Sequence, residues 1–70
     1  MTAYIANKVR EAREKAELTQ EDLALRVEVS RQTVAAIERG HYTPSVLLAL
    51  RLARIFKVSV EDLFSIAYEK

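Results

Sequence analysis

The sequence predicts an all-α domain, and three observations carry that prediction. Apolar residues recur at helical spacing along most of the chain. Only one glycine and one proline interrupt it. Hydroxyl residues suited to N-caps (Thr19, Ser30, Ser45 and Ser59) stand just before successive apolar runs. Half the residues are apolar, and strand-like alternation is scarce before the last few positions.

Five helices follow in order. Ile5, Val9, Ala12 and Ala16 share one face of a first helix expected from about Tyr4 to Ala16, with Lys8, Arg10, Glu11, Glu14 and Lys15 mostly outside. The second helix opens at Thr19, where Asp22 completes a capping-box pattern. Leu23, Ala24 and Val27 supply its inner face. The third opens at Ser30, turns Val34 and Ile37 inward, and ends at Arg39. Gly40 then follows as a left-handed terminator. The fourth starts near Pro44 or Ser45, with Thr43 or Ser45 as cap, and reaches about Phe56. It is apolar nearly all round, with Arg51, Arg54 and Lys57 as a thin polar stripe. Such a helix is either central to a core or shared with a partner, and a chain of 70 residues is too small to wrap it fully. The short fifth helix is capped by Ser59 with Asp62 in the box position. Phe64, Ile66 and Tyr68 then alternate with Ser65, Ala67 and Glu69, a pattern that suits a short strand or a further helical turn. The reading is one domain, 1–70, with its core in 5–64 and a tail from 65 onward.

Composition narrows the function classes. There is no cysteine, so disulfides and thiolate metal sites are excluded. The single histidine, His41, has no ligand-like cluster around it. No signal-peptide or membrane-spanning apolar run occurs, and the expected setting is cytoplasmic. The tyrosines, His41 and the carboxylates show no spacing that assembles a nucleophile, a base and an oxyanion site, so no enzyme is expected. No cofactor and no small-molecule ligand are indicated. The net charge is +1, lower than a nucleic-acid-binding chain usually carries, yet Arg26, Arg31, Arg39 and His41 gather around helices 2 and 3.

Residues 18–40 are the most informative stretch. Two capped helices joined by a tight turn form a helix-turn-helix pattern, and the second begins Ser30-Arg31-Gln32-Thr33. An arginine there suits guanine O6 and N7, a glutamine suits adenine, and a threonine methyl suits thymine.

The stretch from Asn7 to Phe64 resembles the Cro/repressor (Xre-like) class of helix-turn-helix proteins. The pattern is carried by Arg13, Leu18-Thr19-Gln20, Leu23-Ala24, Val29-Ser30-Arg31-Gln32-Thr33-Val34, Ile37-Glu38-Arg39-Gly40 and Pro44-Ser45. It continues through Leu52-Ala53, Phe56, Val58-Ser59 and Leu63-Phe64. The resemblance implies a compact five-helix fold whose third helix enters the major groove of double-stranded DNA. Three glycines common in that class are replaced here, by Glu17, Glu28 and Lys57. If those backbones stay left-handed, each costs about 1 kcal/mol, partly offset by a less flexible unfolded chain.

On this reading Arg31, Gln32, Thr33 and Ala36 face the bases. Gln20, Ser30, Arg39, His41, Tyr42 and Thr43 face the backbone, Gln20 by the resemblance. The resemblance also implies an ion pair between Arg13 and Glu38 that braces the recognition helix. One module buries little DNA surface, so a homodimer on a two-fold operator is expected. Leu47, Leu48, Leu50, Ile55, Phe64, Ile66 and Tyr68 are its candidate interface. The leading function is a dimeric repressor. The alternative is an antitoxin or protein-interaction module, for which a neighbouring toxin-like gene is the discriminating observation.

Overall fold

A computed structural model describes residues 1–69. Among these residues the order is β1 (Thr2–Asn7), α1 (Val9–Lys15), α2 (Gln20–Val27), α3 (Arg31–Glu38), α4 (Val46–Phe56), α5 (Val60–Leu63) and β2 (Phe64–Glu69). The domain is therefore not all-α. Its two ends pair as an antiparallel ribbon, Thr2 opposite Glu69 through Asn7 opposite Phe64, with Ile5 opposite Ile66. The tail expected at 65–70 is part of this ribbon as far as Glu69, and residue 70 lies outside the described residues.

The ribbon corrects the expected first helix. Residues 4–7 are strand, and α1 begins only at Val9. Ile5 does stand at helical spacing from Val9. The competing strand depends on a partner some sixty positions away, which local periodicity cannot register. Thr2, Tyr4 and Ile5 are themselves good strand formers. The tail, where periodicity allowed two outcomes, takes the strand.

Asn7 ends the ribbon and starts the bundle. Its Oδ1 accepts the Val9 N–H at 3.1 Å, and its Nδ2 donates to the Ile37 carbonyl at 2.8 Å. One amide thus satisfies an orphan donor at the start of α1 and anchors it to the last turn of α3. The Lys8 N–H donates to the Leu63 carbonyl at 2.8 Å, tying the same corner to α5.

The remaining helix starts follow their sequence signals. Thr19 and Ser59 form complete capping boxes with Asp22 and Asp62. The N–H groups of Thr19 and Ser59, with their hydroxyls, hold both carboxyls below the usual aspartate range. Ser30 and Ser45 accept from Thr33 N–H and Leu48 N–H, both at 3.1 Å. Ser45, not Thr43, is therefore the cap of α4.

Four helices end in one closure. Glu17, Glu28, Gly40 and Lys57 all have φ between 57° and 77°. Behind each, the next N–H returns to a carbonyl five residues back: Leu18 to Arg13, Val29 to Ala24, His41 to Ala36 and Val58 to Ala53. This is the Schellman arrangement, normally closed by glycine. Three of the four sites here bear the steric cost of a Cβ in that region. Glu17 also places a carboxylate at the negative end of a helix dipole. Glu17→Gly is therefore expected to stabilise the domain by up to about 1 kcal/mol in urea unfolding, after the entropy of the freer unfolded chain is subtracted. Glu17→Ala keeps the Cβ and should gain less.

The core lies where α2, α3 and α4 converge. Leu23, Val27 and Leu52 are completely buried, with Val9, Val34, Ile37, Leu48, Ala53 and Leu63 around them. Ala12, Val29, Ile55, Phe56, Val60 and Phe64 pack at its margin. The apolar excess of α4 divides in two. Leu48, Ala49, Leu52 and Ala53 face the core, while Val46, Leu47 and Leu50 remain exposed.

Candidate nucleic-acid interface

α3 is held at both ends and presents its free side to solvent. At its start Ser30 Oγ accepts the Thr33 N–H and lies 2.9 Å from Thr33 Oγ1. Both hydroxyls are thus committed to the cap, and Thr33 is half-buried. Arg31 and Gln32 occupy the first turn and are exposed. Ala36 lies one turn beyond Gln32 and is half-buried, while Ala35 belongs to the buried set. Arg39 closes the helix. His41, Tyr42 and Thr43 follow it along the surface, all exposed.

The far end of α3 is braced by Glu38. Its carboxylate accepts from Arg13 Nε at 2.7 Å and Arg13 Nη2 at 3.2 Å, a two-pronged pair between α1 and α3. Arg13 Nη1 also donates to the Leu18 carbonyl at 2.9 Å. The Arg13 side chain is 13 % exposed and that of Glu38 is 4 % exposed, so this pair is shielded from solvent. Hydrogen bonding to Glu38 raises the Arg13 pKa further, against the opposing effect of burial.

Gln20 joins this brace. Its Nε2 donates to Glu38 Oε1 at 3.2 Å, so one carboxylate gathers α1, α2 and α3. That role was not legible in sequence, because the contact joins residues eighteen positions apart on two different helices. Asn7 was missed altogether. Its available signal was an asparagine just ahead of a helix start, which is visible only if α1 is begun at Val9.

Arg31 and Gln20 share a surface cleft with Arg13, Glu17, Leu18, Thr19 and Glu21. The start of α2 therefore lies beside the start of α3. Arg31, expected at bases, and Gln20, expected at backbone, thus line one cleft.

The helix-turn-helix family model matches residues 9–63, which covers all five helices and leaves out the ribbon strands. This chain belongs to the Cro/repressor-type helix-turn-helix family. Its relatives agree. An uncharacterized HTH-type transcriptional regulator of Methanocaldococcus jannaschii is 52 % identical over 58 residues, covering 83 % of this chain and 88 % of the relative. The uncharacterized HTH-type transcriptional regulator YgzD of Bacillus subtilis has the same identity and coverage. Among solved structures, the restriction-modification controller protein C.AhdI of Aeromonas hydrophila is similar, with a TM-score of 0.72 and 31 % identity. That match covers 77 % of this chain and 82 % of the controller. In this family member, the left-handed turn between α2 and α3 is made by Glu28, whose carboxylate reaches Arg51 of α4 at 3.6 Å. The pair is exposed and contributes little.

The candidate dimer residues divide by position. Leu47, Leu50, Ile66 and Tyr68 are at least half-exposed. Ile55 and Phe64 are half-buried against the core. Leu48 is 5 % exposed and belongs to the core, so it presents no surface for a partner. Among the described residues no helix is long and apolar enough to cross a membrane.

Proposed function

We propose that this protein is a sequence-specific transcriptional regulator that binds double-stranded DNA with α3 in the major groove and represses by occupying its operator. The observation that carries this reading is the exposed Arg31-Gln32 pair in the first turn of a helix braced at both ends. A guanidinium there can make two parallel bonds to a guanine edge, and a rigid helix preserves the register. Family membership and the relatives described as HTH-type transcriptional regulators support the same function.

Roles within the face follow from what each side chain has free. Arg31 and Gln32 are the base readers, and Ala36 admits close approach of a thymine methyl. Thr33 and Ser30 serve the cap first and offer remaining lone pairs or protons to the backbone. Gln20 keeps its second N–H for a phosphate while the first holds Glu38. Arg39, His41, Tyr42 and Thr43 position the protein along the strand.

A homodimer on a two-fold site is part of this proposal. Its support is the exposed apolar surface of α4 (Val46, Leu47 and Leu50) and of the ribbon (Ile66 and Tyr68). Sedimentation at micromolar concentrations should give twice the chain mass, and a monomer there would reject the dimer.

Selection of bound duplexes from a random pool tests the whole reading, because it returns the operator, its symmetry and the half-site spacing. On the selected site, Arg31→Ala should cost about 1–3 kcal/mol and relax preference at one position per half-site. Equal loss on every sequence would make Arg31 a backbone contact instead.

A further inference from the structure

A second cleft lies on the other side of Gln20, between α1 and α3. It is about 280 Å³ in volume and is lined by Arg10, Arg13, Gln20, Ala35, Glu38 and Arg39. Three guanidiniums and one carboxylate face it. The carboxylate does not repel an anion as a free one would, because Arg13 and Gln20 together give Glu38 three donors and it is almost fully covered. Arg13 in turn is spent on Glu38 and on the Leu18 carbonyl. The positive charge that remains sits on the two rims, Arg10 from α1 and Arg39 from α3. Ala35 between them adds little bulk.

Arg10 has no structural task that would hold it back. Its partner is Glu14, one turn along the same helix, at 3.4 Å with side-chain exposures of 70 % and 55 %. A helical pair so exposed is worth only a few tenths of a kcal/mol and is screened by salt. Exchanging Glu14 for a phosphate therefore costs Arg10 little. This cleft and the one that holds Arg31 share Gln20 and Arg13 as lining residues.

We propose that Arg10 is a backbone-positioning residue of the DNA interface, taking a phosphate against the α1 side of the recognition helix, opposite Arg39. This assignment rests on the DNA-binding reading above and extends the interface from the helix-turn-helix onto α1. Phosphate neutralisation releases counterions and carries no base preference, so its signature is the salt slope rather than specificity.

The test measures affinity for the selected duplex and for an unrelated duplex across a salt series, with the full chain and its Arg10→Ala, Glu14→Ala and Arg31→Ala variants. Arg10→Ala should weaken both duplexes by the same factor. It should also reduce the slope of log affinity against log salt by about 0.9 for each protomer bound, so about 1.8 for a dimer, one phosphate per half-site on B-form DNA. Glu14→Ala should leave the slope at its wild-type value or steepen it and tighten both complexes, since it releases Arg10 and removes a nearby negative charge. Arg31→Ala should lower the preference for the selected duplex. An Arg10→Ala slope equal to wild type, with wild type and Arg31→Ala behaving as expected, overturns the assignment of Arg10 alone. Equal weakening by Glu14→Ala and Arg10→Ala also overturns it, because the pair would then act through the stability of α1. A wild-type chain that binds no duplex overturns the parent reading, and this one with it.

Discussion

Glu38→Ala is expected to destabilise the domain by about 3–5 kcal/mol, the usual cost of leaving one member of a buried pair without its partner. The carboxylate is nearly inaccessible and accepts from Arg13 twice and from Gln20 once, so three donors lose their acceptor together. A domain of this size has about 4–10 kcal/mol to lose, so the variant gives up about a third or more of its stability and, at the low end of that range, sits at its unfolding midpoint at room temperature. Two companions keep the expectation testable if it fails to fold. Glu38→Gln retains an acceptor and should cost less. Arg13→Met with Glu38→Ala removes both charges and should be less damaging than the two single losses added together. Urea unfolding of the wild type, Glu38→Ala, Glu38→Gln, Arg13→Met and the double variant checks this. A loss below about 1 kcal/mol in Glu38→Ala would mean the pair behaves as a surface bridge.

Leu52→Ala is expected to cost about 2–5 kcal/mol, through lost burial and the cavity left behind. Leu52 is completely buried on the inner face of α4. Leu50, two positions earlier on the same helix, is 50 % exposed, and Leu50→Ala should change monomer stability by no more than about 0.5 kcal/mol. On the dimer proposal Leu50→Ala should instead raise the dissociation constant, read by sedimentation over a concentration series. Equal unfolding losses in the two variants would contradict the division of α4 into a core face and an outer face.

The start of α2 and the start of α3 were legible because capping is local chemistry. Thr19 with Asp22, Ser30 with Thr33, and Ser59 with Asp62 satisfy donors only three positions ahead. Gly40 announced the end of α3 for the same reason. Glu17, Glu28 and Lys57 did not announce theirs, since nothing in a glutamate or lysine asks for a left-handed backbone. The resemblance alone flagged those positions, and the structure keeps all three in that conformation. The exposure of Arg31 and Gln32 in the first turn of α3 also followed from sequence, as a consequence of the N-cap at Ser30.

The ribbon and the sorting of α4 were not legible. Tyr4 and Ile5 suit a helix face or a strand, and the choice is made by β2 from the opposite end of the chain. Leu47, Leu48 and Leu50 are alike in sequence, yet only Leu48 meets the core. The sequence by itself determined the four capped helices α2 to α5 and the polar edge of α3, because hydrogen bonds and periodicity act within a few residues. The tertiary structure alone decided the pairing of the two ends, the Asn7 clamp on Ile37, and the addition of Gln20 to the Arg13–Glu38 pair that the resemblance implied. Each of these joins groups far apart in the chain, and its energy is realised only once the intervening residues are packed.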